Sequence, residues 1–348
     1  MIPVKAYATQ SPTSLLAPYH FERRDLREHD VLIDILFSGV CHSDVHQARD
    51  EWGGSMYPMV PGHEIVGKVI KTGSHVKKFA IGDTAGIGVM VDSCRECKPC
   101  VNHMEQYCVE GMTGTYNGYE RDKVTIAQGG YGTQIVCDER WVYHISDKLD
   151  LAGVAPLLCA GITTYSPLKY ANVKPGDKVG VAGLGGLGHM AVKFAVAMGA
   201  EVTVLSTSPS KGKDASELGA HHFVLSTDEA AMKKLESHFD VVLDAVSGNH
   251  DFEIYLKMLT INGKMLVVGL PKEYPKVNPF ELIKNRRCIV GSMIGGTVET
   301  QEMLDFCAEK NIVADVEVIA MEYINQAFER MIKNDVKYRF VIDMASLK

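Results

Sequence analysis

Lys178-Val-Gly-Val-Ala-Gly183-Leu184-Gly185-Gly186-Leu187-Gly188, followed by a helical stretch through Met198, decides how the middle of this chain folds. A short apolar run enters a turn with glycines at 183, 185 and 188, and a helix opens on the far side. Such glycines permit a tight turn and a close backbone approach to pyrophosphate, while the helix N-terminus favours negative charge. A second strand is predicted over Glu201 to Ser206. Glycines that serve packing alone are the competing explanation, and the two flanking strands weigh against it.

Working outward, strands are predicted at His222 to Leu225, Val241 to Leu243, Lys264 to Val268 and Cys288 to Met293, with helical segments among them. Strands alternating with helices imply a doubly wound parallel sheet of the Rossmann type. Before about residue 150 the texture differs. Runs at Asp30 to Ser38, Glu64 to Ile70 and Asp83 to Val89 are β-like and separated by glycines, which suggests an all-β unit. The stretch Met112 to Tyr131 lacks a clean period and is expected to be loop. After the parallel sheet, a helix around Thr300 to Glu309, a strand near Val316 to Ile319, a helix to Ile332 and a strand Arg339 to Ile342 look like a return to the first domain.

In dinucleotide folds, an acid near the end of the strand after the glycine turn bonds the ribose hydroxyls of NAD and repels a 2′-phosphate. Here the sequence is Leu205-Ser206-Thr207-Ser208-Pro-Ser-Lys211, hydroxyls and a cation, which suits NADP. A surface turn of small polar residues would look similar, so the inference rests on position.

The composition sets broad limits. The chain has 348 residues, 46% of them hydrophobic, too many for one compact core, so two domains are expected. With 36 Lys+Arg against 43 Asp+Glu and a net charge of -7, it lacks the basic face that a nucleic-acid binder needs. No run approaches the roughly 18 apolar residues of a membrane span, and residues 1–30 lack a signal-peptide core, so a cytoplasmic protein is expected.

Four of the nine cysteines, Cys94, Cys97, Cys100 and Cys108, crowd one short segment, while Cys41, Cys137, Cys159, Cys288 and Cys307 are scattered. The cluster fits tetrahedral zinc, and four thiolates close the coordination sphere, so its role would be structural. A redox Cys-x-x-Cys is the sharpest alternative; the repeated three-residue interval and the lack of a thioredoxin-like context rank it lower. A second constellation comprises Cys41-His42-Ser43-Asp44-Val-His46 and Gly62-His63-Glu64, which supply a thiolate, imidazoles and carboxylates for another zinc. Each of these is weak alone, since a lone Cys or His is usually structural.

The runs Gly39 to His46, Pro61 to Gly67, the four-cysteine loop and Cys159-Ala-Gly-Ile-Thr163 stand in an order that resembles the zinc-dependent medium-chain alcohol dehydrogenases, over essentially the whole chain. Ala155 to Pro167, Gly183 to Gly188, Gly291 to Gly295 and Tyr338-Arg-Phe-Val-Ile-Asp343 are similar to the cinnamyl alcohol dehydrogenase branch. The resemblance implies a GroES-like β-rich catalytic domain, residues 1–155 and 296–348, interrupted by an NADP-binding Rossmann domain, residues 156–295. It also implies an active site between the two domains and a homodimer.

By the same resemblance Cys41, His63 and Cys159 are the catalytic zinc ligands, Glu64 is a nearby carboxylate, and a position stays open for water or a substrate oxygen. Asp44 would accept a hydrogen bond from His63 and fix its tautomer. Ser43 and His46 would relay a proton to solvent. His42 receives no role. Thr163, Gly269, Ser292, Met293 and Ile294 would join the glycine turn and Ser206, Thr207, Ser208 and Lys211 in holding the cofactor. Arg339 would be an additional polar contact to the cofactor, but an Arg near a final strand is more often solvated or salt-bridged, and it is set aside from the site.

Trp52, Met293 and Ile294 match pocket positions, and an apolar lining would favour cinnamyl- or benzyl-type aldehydes and alcohols. Plant lignin-pathway members often carry a smaller aliphatic residue in place of Trp52 and Phe in place of Met293, so the resemblance stops short of a monolignol-specific pocket. The expected activity is interconversion of primary alcohols and aldehydes, with NADPH preferred. Three alternatives fit less well. A zinc-independent quinone reductase would have no use for the Cys41, His63 and Cys159 triad. A polyol dehydrogenase commonly has a carboxylate as third ligand and prefers NAD. A non-catalytic zinc-stabilised interaction protein would not need the relay.

Overall fold

The computed structural model describes residues 1–273 and 275–347. It forms two units, Met1–Ile162 with Gly295–Lys348, and Thr163–Ile294.

The first unit is built on a seven-stranded sheet in which Asp30–Val40 is the hub. This strand is buried along most of its length, as its nearly unbroken apolar sequence requires. It pairs antiparallel with Ile65–Thr72, Gln134–Asp138 and Arg339–Asp343. Ser38 stands opposite Ile65, and Val40 opposite Phe340. Through these two registers Cys41, Glu64 and Arg339 meet at one end of the sheet. The pair Ile2–Ala8 and Ala17–Arg23 lies outside the strands expected from sequence. The second of these carries Pro18 and three charged or imidazole side chains in seven residues, so it gives no clean apolar alternation. Met112 to Tyr131, expected as loop, holds two-residue strands that pair Thr113–Gly114 with Met90–Asp92 and Gly118–Tyr119 with Ile126–Ala127.

The second unit is a six-stranded parallel sheet ordered His222–Leu225, Glu201–Ser206, Lys178–Ala182, Phe239–Asp244, Leu259–Val267, Cys288–Gly291. In chain order this is 3-2-1-4-5-6, the doubly wound arrangement whose ligand crevice opens where the order reverses. Val179, Val181, Val202, Val204, Val242 and Leu243 are buried in it, as expected of strands covered on both faces. The reversal falls between Lys178–Ala182 and Phe239–Asp244, so Gly183 and Asp244 mark the crevice from either side. Among the described residues no single helix is long and apolar enough to cross a membrane.

Candidate metal centres and cofactor seat

Cys41 caps the short helix His42–Ala48, and its backbone N–H donates to Asp44 Oδ2 at 2.9 Å, closing a capping-box turn. The same carboxylate takes three further bonds: from Gly62 N and His63 Nδ1, both at 3.1 Å to Oδ1, and from Tyr131 Oη at 3.0 Å to Oδ2. Asp44 is fully buried, and this many donors make that tolerable for a charge. With Nδ1–H committed to Asp44, His63 presents Nε2 as a lone-pair donor on its other edge.

Donor atoms of Cys41, His63, Glu64 and Cys159 all lie within 4.8 Å of one another, and all four residues are buried. Cys41 Sγ and Cys159 Sγ stand 3.9 Å apart. A tetrahedral zinc with bonds of about 2.3 Å spans two sulfurs at about 3.8 Å, so the pair is spaced for a metal and too far apart for a disulfide. The hydrogen bond between the two sulfurs holds Cys41 well below the usual thiol range and Cys159 well above it. Glu64 Oε2 makes no hydrogen bond although buried, the condition of an oxygen that faces a cation site.

The second cluster meets the same test. Cys94 to Cys100 measures 3.8 Å, Cys97 to Cys100 3.4 Å and Cys97 to Cys108 4.0 Å between sulfurs. Backbone N–H groups of Cys94 and Cys97 donate to Cys108 Sγ and Cys94 Sγ. Further amides from Val109 and Cys100 bring the Cys97 thiol down to about 6. A closed set of four thiol ligands suits structural zinc.

In the second unit, Gly183 sits at φ +85°, and a methyl group on Gly188 would lie 1.9 Å from the Gly183 carbonyl oxygen. Only glycine fits either place. The turn delivers the chain to the helix Gly188–Ala197. Gly183 N donates to Leu205 O at 2.9 Å, so the turn lies beside the end of Glu201–Ser206. There Ser206 Oγ accepts from Ser208 N at 3.3 Å, Ser208 and Ser210 hydroxyls pair at 2.9 Å, and Lys211 opens the next helix. Thr207 belongs to the same turn. Gly269 follows the strand Leu259–Val267, and Ser292 N donates to Val267 O at 3.2 Å. Thr163 lies in the helix Ala160–Tyr170.

The sequence matches two family models: the alcohol dehydrogenase GroES-like domain over residues 27–147 and the zinc-binding dehydrogenase domain over residues 186–309. It is 52% identical to the NADP-dependent alcohol dehydrogenase C 1 of Mycolicibacterium smegmatis, over 100% of both chains. A cinnamyl alcohol dehydrogenase structure from Sorghum bicolor superposes with a TM-score of 0.96 at 44% identity, covering 99% of each chain. That of a Helicobacter pylori enzyme, CAD, complexed with NADP(H) gives 0.93 at 43% identity, over 100% of this chain and 99% of that one. The chain belongs to the zinc-binding alcohol dehydrogenases.

In this alcohol dehydrogenase Ser43 Oγ is 3.6 Å from Cys41 Sγ. His46 lies one turn along the same helix, its Nδ1 2.6 Å from Glu51 Oε2 and its ring stacked on exposed Trp52 at 5.0 Å. Among the described residues Ser43 and His46 share no direct hydrogen bond, so a relay through them needs a bridging hydroxyl or water. Met293 is exposed, while Ile294 is buried in the left-handed backbone region at φ 41°.

Three residues at the first-unit centre were not expected there. Arg339, set aside from the sequence, is buried and forms an ion pair with Glu64. Burial pushes the Glu64 carboxyl up to about 7 against the pull of that guanidinium. The Tyr338 to Asp343 motif was the available signal. Tyr131 bonds Asp44 through its hydroxyl, and Tyr116 stacks on His63 at 5.8 Å. Both come from the aperiodic stretch 112–131, where nothing in the local pattern marks them.

Proposed function

We propose that this chain interconverts primary alcohols and aldehydes with NADPH as the preferred reductant, and that aromatic and cinnamyl-type compounds are its substrate class. The observation that carries this is the buried set of Cys41, His63 and Cys159; with Glu64, the fourth member of that group, paired to Arg339, an ion held by the two sulfurs and the imidazole keeps one tetrahedral place for a substrate oxygen. A zinc held there supplies Lewis acidity toward a substrate oxygen, and NADPH when bound supplies the hydride. Asp44 keeps His63 in the ligating tautomer. Ser43 hands a proton to or from the reacting oxygen, and His46 exchanges it with solvent. Arg339 balances Glu64 so that the buried centre carries no uncompensated carboxylate. Ser206, Thr207, Ser208 and Lys211 receive the 2′-phosphate with hydroxyls and a cation, and the glycine turn takes the pyrophosphate.

Initial rates with cinnamaldehyde, comparing NADPH with NADH and wild type with Cys41→Ser, test the whole proposal. Fast NADPH-dependent turnover lost in Cys41→Ser is expected, and a preference for NADH would overturn the cofactor choice. Ser206→Asp places a carboxylate where the 2′-phosphate would sit. It should lower kcat/KM for NADPH by about tenfold or more and raise that for NADH. Equal losses with both cofactors would show that Ser206 does not discriminate.

A homodimer in a reducing cytoplasm completes the proposal. Among the described residues the strand Cys288–Gly291 has a sheet neighbour on one side only, and Leu270, Phe280, Ile283 and Met293 are exposed apolar residues of the same unit. No disulfide joins any of the nine cysteines. Light scattering at twice the chain mass is expected; a monomer would refute the dimer.

A further inference from the structure

Asp244 ends the strand Phe239–Asp244 at the crevice of the second unit, where it is fully buried. Its Oδ1 accepts from Val246 N at 3.1 Å, and its Oδ2 lies 2.9 Å from His250 Nε2. The other imidazole nitrogen, Nδ1, is 2.8 Å from the Gly248 carbonyl oxygen. One carboxylate and one imidazole thus tie down the segment from Val246 to His250.

That segment touches both glycine turns of the seat. A methyl group on Gly183 would lie 3.2 Å from Val246 Cγ2, and one on Gly269 would lie 2.3 Å from the Val246 carbonyl oxygen. Gly269 N also donates to Asp244 O at 2.9 Å. Val246 therefore lies close against both turns, its side chain toward Gly183 and its backbone against Gly269.

The hydrogen bonds impose a proton count. The Gly248 carbonyl only accepts, so Nδ1 must carry a hydrogen. Nε2 then bonds Oδ2 only if a second proton sits on Nε2 or on the carboxyl. An ionised Asp244 with a neutral His250 holds one proton too few and must give up one of the two contacts. Burial raises the Asp244 carboxyl, which favours retention of the second proton. His250 is the titratable neighbour of Asp244, and Tyr255, whose ring is 5.6 Å from the imidazole, is a further titratable group facing the pair. Burial pushes Tyr255 up to about 12, so it stays neutral, and Phe252 packs against the imidazole at 5.1 Å.

We propose that Asp244 and His250 are positioning residues for the NADP(H) seat, forming a clamp that is closed while the pair holds two protons and loosens when one is lost. The inference rests on the assignment of this unit to NADP(H). It predicts that cofactor affinity falls as pH rises, for a reason separate from the 2′-phosphate.

Asp244→Asn isolates the effect. The amide oxygen still accepts from Val246 N, and the amide nitrogen donates to the Nε2 of a neutral His250 whose Nδ1–H still reaches Gly248. Every bond survives without the extra proton. NADPH dissociation constants of zinc-loaded enzyme would be measured by fluorescence between about pH 6 and about pH 9. Wild type should weaken by up to about tenfold relative to Asp244→Asn over that range, the worth of one hydrogen bond. His250→Ala should bind weakly at every pH, with KM for NADPH raised more than kcat is lowered. Circular dichroism and zinc content report whether each variant is folded. Parallel pH curves for wild type and Asp244→Asn, or wild-type affinity in His250→Ala, would overturn the clamp alone. No NADPH binding by wild type would overturn the cofactor assignment with it.

Discussion

Cys159→Ala is expected to lower kcat/KM by about a thousandfold or more, because the metal's contribution to a polarised carbonyl is worth several kcal/mol. The substitution removes one of two sulfurs that stand 3.9 Å apart and leaves Cys41 and His63 as an incomplete set. Zinc content should fall from two ions per chain to one, while the unfolding temperature changes little. Cys100→Ala makes the contrast. It too should leave one zinc per chain, but from the cluster whose sulfurs are 3.4 to 4.0 Å apart. There the loss should appear as lower thermal stability, with turnover retained by the folded fraction. Elemental analysis, steady-state rates and thermal unfolding of the two variants together assign each ion its role. If Cys159→Ala kept both zincs, or if Cys100→Ala lost turnover without losing stability, the assignment would be reversed or wrong.

The parts of this molecule that were legible in the sequence are those encoded by neighbours in the chain. The turn from Gly183 to Gly188 has its steric demands written into successive residues, and the strands on either side are short apolar runs that a buried parallel sheet requires. Cys94, Cys97, Cys100 and Cys108 announce themselves because one loop carries all four. The first-unit centre was legible only in part. Cys41 and Asp44 are close in sequence and share a helix cap, but Tyr131 reaches Asp44 from 87 positions away. Its stretch gave no periodic signal because the strands it contains are two residues long. The bland expectation for Arg339, a salt bridge, was correct in kind and misplaced in consequence. Its partner is Glu64, 275 positions away, and antiparallel pairing through Asp30–Val40 is what joins them. Chemistry that depends on sheet register stays hidden until the register is known.

That register leads to the second large effect. Arg339 and Glu64 are both buried, so removing Arg339 makes Glu64 take up a proton or hold an uncompensated charge, and removing Glu64 strands the guanidinium in a low-dielectric interior. Arg339→Met should destabilise the folded chain by about 3–5 kcal/mol, since the Met side chain fills similar space but offers Glu64 no counter-charge. Glu64→Gln should also destabilise, because Arg339 then keeps its charge with only the metal-ligand sulfurs nearby. Combining the two removes both charges, and the double variant should recover most of the loss. Urea unfolding at fixed zinc concentration gives the three free-energy changes, and the double-mutant cycle separates the coupling from the independent effects. A coupling energy of several kcal/mol identifies the pair as mutual charge compensation at the metal centre. Additive losses would instead mean that each side chain matters through packing, and Arg339 would be an ordinary structural side chain with no part in balancing the centre.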